Sequence, residues 1–132
     1  IIKDNGIVLD PDTGIEWYRC AFGQRYVPQG CSGDALLVTH DEVDSMLAEI
    51  SAKAGQKWRL PTEGEFQSLR EPNCVNPAIN TNVFPNPLIT NFWVLGEGIR
   101  DSKACVVYTY NARRSCRIPR AEPRPFYMVK AT

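Results

Sequence analysis

Cysteine is the residue type in this sequence with the most evident chemistry, because thiols form disulfides, bind metals and act as nucleophiles. The chain has five cysteines and a single histidine. Zinc sites use paired Cys-x-x-Cys or Cys/His clusters, and this spacing does not occur here. The cysteines are Cys20, Cys31, Cys74, Cys105 and Cys116. We therefore expect disulfides, which persist in oxidising compartments. The alternative is buried free thiols in a cytosolic protein.

We predict two disulfide pairs from the loop and the hairpin that they would close. A bridge between Cys20 and Cys31 would close a loop rich in glycine and polar residues. A bridge between Cys105 and Cys116 would join two strands that pair about a turn near residues 110–112. Because the count is odd, this leaves Cys74 unpaired. A bridge from Cys74 to Cys105 or to Cys116 stays open, since connectivity does not follow from sequence alone.

Positive charge is concentrated near the C-terminus. Residues 1–99 hold 7 Lys/Arg and 13 Asp/Glu, whereas residues 100–132 hold 8 and 2, so the excesses cancel in a net charge of zero. Guanidinium groups bind sulfate, phosphate and carboxylate through paired donors, and nearby tyrosines can stack on sugar rings. The candidate ligand-binding residues are Arg113, Arg114, Arg117, Arg120, Arg124, Tyr108 and Tyr110.

The alternative for these arginines is a solvated hairpin, neutralised inside the protein by acidic residues between positions 41 and 49. Nucleic acid is not expected as a partner, because no recognition motif accompanies the charge. His40 would have to serve any Ser/His/Asp or Cys/His arrangement. We expect it instead to face solvent in the first turn of a helix. We therefore expect no catalytic residue, no metal site and no cofactor.

The elements that position these residues are predicted as strands, then two helices, a loop and more strands. Residues 7–10 and 15–18 predict a hairpin. Thr39 and Glu42 form a capping box, and a stripe of apolar residues follows it at helical spacing: Val43, Met46, Leu47 and Ile50. Gly55 ends this helix. A second capping box, Thr62 with Glu65, begins a helix that Pro72 should end.

The rest of the chain predicts a long ordered loop over 74–87 and strands over 92–95, 104–110, 115–118 and 126–130. The expected fold class is α+β, a compact domain with two helices, a mainly antiparallel sheet and long ordered loops. One domain is expected over residues 1–132. No apolar run approaches the roughly 18–20 residues of a membrane span.

Three blocks of sequence, in order, carry a family likeness. The first contains Asp12-Thr13-Gly14-Ile15-Glu16-Trp17, then Arg19-Cys20 with Gly23-Gln24, and Cys31-Ser32-Gly33. The second is Trp58-Arg59-Leu60-Pro61-Thr62 with Glu65-Phe66-Gln67-Ser68-Leu69. The third is Asn76-Pro77-Ala78-Ile79-Asn80 with Val83-Phe84-Pro85-Asn86, followed by Phe92-Trp93. Together they resemble the Lcl C-terminal-like domain family, a bacterial family of largely unknown function named for a collagen-like surface adhesin. The final strands match it only loosely.

The resemblance implies a C-type-lectin-like fold on exported or surface proteins of bacteria. It also implies ligand binding, with adhesion to sulfated glycans for the namesake of the family. Fold alone does not specify function. The expected location is therefore the periplasm, the cell surface or the extracellular space, and the ligand is left open by the resemblance.

Two motifs are shared with other lectin-like proteins. Glu71-Pro72-Asn73 matches the tripeptide that holds Ca²⁺ in calcium-dependent lectins, but the Trp-Asn-Asp run that completes such a site is missing. Residues 58–63 also occur in formylglycine-generating enzymes, whose reactive cysteine signature has no counterpart here. For this block we expect a structural use: Trp58 in the core and Arg59 paired with a buried acid.

The sequence thus predicts an exported, non-catalytic binding module whose arginine-rich C-terminal face recognises an anionic glycan or an acidic surface molecule. The alternative is a protein-interaction module, such as a periplasmic immunity protein that neutralises a secreted toxin, or a pilus or tail-tip component. A homo-oligomer is compatible with both hypotheses.

Overall fold

The computed structural model describes residues 6–96 and 103–131. The elements in chain order are β1 Ile7–Asp10, β2 Ile15–Tyr18, β3 Arg25–Val27, β4 Gly30–Ser32, α1 His40–Ala54, β5 Trp58–Arg59, α2 Glu63–Gln67, β6 Asn91–Trp93, β7 Lys103–Tyr108, β8 Arg113–Pro119 and β9 Val129–Lys130. Two helices with mainly antiparallel strands confirm the α+β class. Neither of these helices combines the length and apolar character needed to cross a membrane.

The strands form three sheets, ordered β1-β2-β9-β5, β3-β4 and β6-β7-β8. Val129 of β9 lies between Trp17 of β2 and Arg59 of β5, so the C-terminal strand joins the first hairpin to the middle of the chain. The strand predicted over residues 126–130 is shorter than expected. Phe126, Tyr127 and Met128 precede β9 and are buried in the core.

The β6-β7-β8 sheet has apolar side chains on both faces, because successive residues of a strand point in opposite directions. Val107 packs in a cluster with Trp17, Phe66 and Phe92. Val106 packs in the other cluster, with residues of α1, Trp58 and Trp93. This is why β7 is a nearly continuous apolar run and does not alternate with polar residues.

Helix α1 is confirmed with its predicted ends. The Thr39 N–H donates to Glu42 Oε1 at 2.8 Å, and Gly55 follows the last turn at φ 65°. Val43 and Leu47 of the predicted stripe are buried. The stripe therefore faces the second apolar cluster, as its spacing indicated.

Helix α2 begins at its predicted capping box but ends earlier than predicted. It stops at Gln67, well before Pro72. The Ser68 hydroxyl donates to Glu65 O at 2.6 Å, and the next N–H groups bond only three residues back. Arg70 then pairs with Ile79. The chain therefore leaves the helix for this pairing before it reaches Pro72.

The loop over residues 74–87 is confirmed, since no helix or strand lies in it. Its buried side chains include Ala78, Ile79 and Phe84. Both predicted disulfides are confirmed: Cys20 is bonded to Cys31, and Cys105 is bonded to Cys116. Cys74 is a free, exposed thiol.

Candidate functional site

The hairpin of β7 and β8 presents most of the candidate ligand-binding residues. Its turn lies at residues 109–112, as predicted, with Ala112 at φ 61° and its N–H bonded to Tyr108 O at 2.7 Å. The Asn111 side chain accepts from the Arg113 N–H at 3.0 Å. These bonds fix the backbone from which Arg113 and Arg114 project.

Three of the five candidate arginines make ion pairs within the protein, and two of these pairs involve the arginines that follow β8. Arg120 Nη2 lies 3.2 Å from Asp41 Oδ1, in the first turn of α1. Arg124 Nη2 lies 2.6 Å from Glu122 Oε2, and its Nη1 donates to Thr90 Oγ1 at 3.3 Å. The internal neutralisation considered as the alternative therefore holds for Arg120 with Asp41.

The other three arginines remain open to solvent. Arg114 Nε lies 3.6 Å from Glu63 Oε1, with about half of the arginine side chain exposed. Such an exposed pair contributes only about 0–1 kcal/mol. Arg113 and Arg117 are exposed. Neither forms an ion pair with any residue in the two described segments. Arg113 and Arg117 are therefore free to contact a ligand, and Arg114 can do so at the cost of a weak pair with Glu63.

A cleft of about 640 Å³ lies beside the hairpin turn, lined by Gln67, Arg70, Asn111, Ala112, Arg113 and Arg114. We call it the arginine cleft. Among the described residues, three guanidinium groups and two amides line it, and no carboxylate does. Gln67 Nε2 donates to Ala112 O at 3.3 Å, which ties α2 to the turn. The cleft is positively charged and rich in hydrogen-bond donors.

Arg70 is the cleft residue that the sequence reasoning missed. It follows α2 and is far from the arginine-rich stretch along the chain. Its position depends on the early end of α2 and on its pairing with Ile79. No sequence pattern we used signals that pairing.

Tyr108 and Tyr110 lie at the same end of the hairpin. Their rings stack at 5.7 Å between centroids with 23° between planes, and both are exposed. Tyr108 is the cross-strand partner of Arg113. The structure therefore brings the two tyrosines and Arg113 to one region. Arg120 and Arg124 lie after β8, next to the N-terminus of α1.

Thr109 forms hydrogen bonds with two other segments of the chain at this end of the hairpin. Its hydroxyl donates to Leu88 O at 2.6 Å, and its N–H donates to Thr90 O at 3.1 Å. Its carbonyl accepts from the Ala78 N–H at 2.8 Å. The segments 75–78, 88–90 and 108–110 carry a set of exposed apolar side chains that we call the hairpin-end surface: Val75, Leu88, Ile89, Tyr108 and Tyr110.

The expected structural use of residues 58–62 is confirmed. Trp58 is buried in the second apolar cluster. Arg59 donates to both oxygens of Glu65, Nη1 to Oε1 at 2.8 Å and Nη2 to Oε2 at 2.9 Å. The hydrogen bonds from Arg59 lower the pKa of Glu65. The same Oε1 accepts from the Thr62 N–H and completes the capping box.

The expectation of a solvent-facing His40 is wrong. Its ring packs edge-on against Trp93 at 5.3 Å between centroids, and its Nδ1 is buried with no hydrogen-bond partner among the described residues. Burial lowers the pKa of His40, and the charge of Arg120 lowers it further, while Asp41 and Asp44 oppose the shift. The segment after β8 covers this side of the helix start, since the His40 N–H donates to Arg120 O.

One group of potential metal ligands occurs among the described residues: Glu63, Cys105 and Cys116, whose ligand atoms lie within 4.8 Å of one another. The two sulfurs are bonded to each other. A disulfide has no thiolate to offer, and the thiolate is the form that binds zinc. In this redox state the group is a carboxylate next to a disulfide.

Comparison with known proteins identifies the family of the chain. No curated protein and no solved structure matches the chain. The family model described as the Lcl C-terminal domain matches residues 6–129, nearly the whole length. The matched range includes all four disulfide cysteines, both helices and every residue of the arginine cleft. The chain belongs to the Lcl C-terminal domain family.

Proposed function

We propose that this chain is an exported, non-catalytic binding module that holds an anionic glycan, or another acidic surface molecule, in the arginine cleft. The observation that carries the proposal is the lining of Arg70, Arg113 and Arg114, with no carboxylate among the other described residues of the cleft. Guanidinium groups bind sulfate and carboxylate through paired donors, and they do so more strongly than neutral donors. Tyr108 and Tyr110 add a stacked aromatic surface near Arg113.

Two further observations support this role. The two disulfides favour an oxidising compartment, either the periplasm or the cell exterior. The sequence resemblance implies a C-type-lectin-like fold and ligand binding on exported proteins, and membership of the family is consistent with both. Each of these supports the class of function and not the identity of the ligand.

Heparin affinity chromatography tests the proposal. The wild-type protein should elute above physiological salt, and Arg113→Gln should elute earlier with about tenfold weaker affinity, as expected for one lost charge-assisted contact of about 1.4 kcal/mol. Arg25→Gln is the matched control, because Arg25 is exposed on β3 and outside the cleft. Wild-type protein that flows through at low salt would remove the proposal, as would equal shifts for the two variants.

The second candidate is a protein-interaction module, such as a periplasmic immunity protein or a pilus or tail-tip component. The hairpin-end surface favours it, because exposed apolar side chains gathered in one region are typical of protein contacts. Pull-down from the producing organism should then yield a stoichiometric complex. Ile89→Ser should weaken this complex, and Leu37→Ser, an exposed apolar residue elsewhere, should not. A complex that tolerates Ile89→Ser contradicts this candidate.

A further inference from the structure

A second cavity shares one lining residue, Arg70, with the arginine cleft. It has a volume of about 250 Å³ and lies between β1, the segment after α2 and the loop near residues 80–84. We call it the carboxylate pocket. Its polar lining includes Asp10, Asp12, Glu71 and Asn80.

The carboxylate pocket combines an apolar wall with hydrogen-bonding groups. Trp17 and Phe84 are buried in its wall, and Leu69 and Val83 line it in half-buried positions. Small-molecule sites are built in this way, with apolar side chains for contact and a few polar groups for orientation. The pocket therefore has the composition of a ligand site.

The polar groups of the pocket are only partly used by the protein. Asp10 Oδ1 accepts from the Asp12 N–H at 3.0 Å, and Asn80 Oδ1 accepts from the Asn82 N–H at 2.8 Å. These bonds leave the Asn80 amide nitrogen able to donate. Across the described ranges, Asp10, Asp12 and Glu71 have no ion-pair partner. Ionised carboxylates accept hydrogen bonds only, so they match a ligand rich in hydroxyl donors.

The two cavities differ in the formal charge of their lining. Among the described residues, Asp10, Asp12, Glu71 and Arg70 give the pocket lining a formal charge of −2, from three carboxylates and one guanidinium. The described lining of the cleft has three guanidinium groups, Arg70 again included, and a formal charge of +3. An anionic group is repelled by the first cavity and attracted by the second, and Arg70 lines both.

We infer that the carboxylate pocket binds an uncharged sugar ring whose anionic substituent, a sulfate or carboxylate, lies in the arginine cleft. The ring hydroxyls donate to Asp10 and Glu71, and the apolar face of the ring contacts Leu69 and Val83. This inference rests on the proposed function and specifies its ligand class. In this arrangement the carboxylate pocket selects the sugar ring, and the arginine cleft selects the anionic substituent.

Amide NMR titrations test the inference with three kinds of probe: inorganic sulfate; glucose, galactose and N-acetylglucosamine; and the 6-sulfates of those sugars. At least one 6-sulfate should shift amides of both cavities, including those of Val83 and Arg113. Glu71→Gln should weaken its binding about tenfold and leave sulfate binding unchanged. Glu49→Gln, on the exposed face of α1, is the matched control.

The outcomes separate the inference from the proposed function. If no sugar and no 6-sulfate shifts the pocket amides, or if Glu71→Gln has no effect while Arg113→Gln weakens binding, the carboxylate pocket is not a sugar site and the proposed function stands. If unsulfated sugars bind the pocket and Arg113→Gln changes nothing for the 6-sulfates, the proposed role of the arginine cleft fails.

Discussion

The contact of Arg59 with Glu65 shows how a single pair of side chains fixes two short elements. Both oxygens of Glu65 accept from the guanidinium, and one also accepts from the Thr62 N–H. A two-residue strand and a five-residue helix have little stability of their own. The largely buried carboxylate therefore determines how α2, and with it Gln67 and Arg70, is placed.

Replacing this carboxylate should be costly. Glu65→Gln should lower the free energy of unfolding at pH 7 by about 1.5–3 kcal/mol, the range for hydrogen bonds to charged groups. Because the pKa of Glu65 is lowered in the folded state, its contribution is present above the unfolded value of about 4.3 and is lost as pH falls through the folded pKa. Urea unfolding of both proteins from pH 7 to pH 3 measures this. A difference that does not shrink in acid would contradict it.

His40 gives a pH dependence in a higher range. Burial lowers its folded-state pKa, so the unfolded chain binds the proton more tightly. The resulting contribution to stability is fully present above about pH 6.5 and is lost as pH falls through the folded pKa. We expect His40→Gln to flatten the slope of unfolding free energy between pH 7.5 and 5. Because this is the only histidine, one imidazole NMR signal reports its pKa directly. A midpoint at or above 6.5 would overturn the prediction.

At the scale of elements, local signals gave correct predictions wherever local contacts determine the structure. Thr39 with Glu42 and Thr62 with Glu65 begin the two helices, and the two predicted bridges close a local loop and a local hairpin. The end of α2 was predicted wrongly, because the pairing of Arg70 with Ile79 depends on tertiary structure. The partial burial of His40 escaped prediction for the same reason, since Trp93 lies far from it in sequence.

Two glycines allow the cost of an unfavourable φ to be distinguished from the cost of steric crowding. Gly14 and Gly23 both have positive φ, 74° and 96°. A Cβ at Gly14 meets nothing within 4 Å, whereas one at Gly23 lies 2.8 Å from Leu36 Cγ and Leu36 N. That nitrogen is held by a bond to Phe22 O.

We therefore expect Gly14→Ala to cost about 1 kcal/mol of unfolding free energy from φ alone, and Gly23→Ala to cost distinctly more. Chemical denaturation of the two variants in parallel gives the comparison. Equal losses would show that the turn at Gly23 relaxes freely.

At the scale of the whole molecule, the β6-β7-β8 sheet lies between the two apolar clusters. The same sheet presents its hairpin end to the arginine cleft. The positive charge of residues 113 and 114 was predictable from composition, whereas the contribution of Arg70 and the carboxylate pocket was not. Those features come from segments that meet only in the folded chain, and no spacing in the sequence encodes them.

Substitutions at two neighbouring residues of β7 should show whether the two apolar clusters unfold together. Val106 and Val107 are fully buried on opposite faces. Each Val→Ala substitution should lower the unfolding free energy by about 2 kcal/mol. Since one strand belongs to both clusters, each variant should still unfold in a single transition seen alike by tryptophan fluorescence and circular dichroism. Val75→Ala, at an exposed site, should change stability by less than about 0.5 kcal/mol. Two separated transitions would show that the clusters unfold independently.

The free thiol of Cys74 has a practical consequence. Four of the five cysteines are held in disulfides, so a maleimide dye added without a reductant would attach to the protein at one position. That position is next to Val75 of the hairpin-end surface and three residues after Glu71 of the carboxylate pocket. A dye there would be close in sequence to both regions, and its emission could follow the arrival of a ligand or a partner without any engineered substitution.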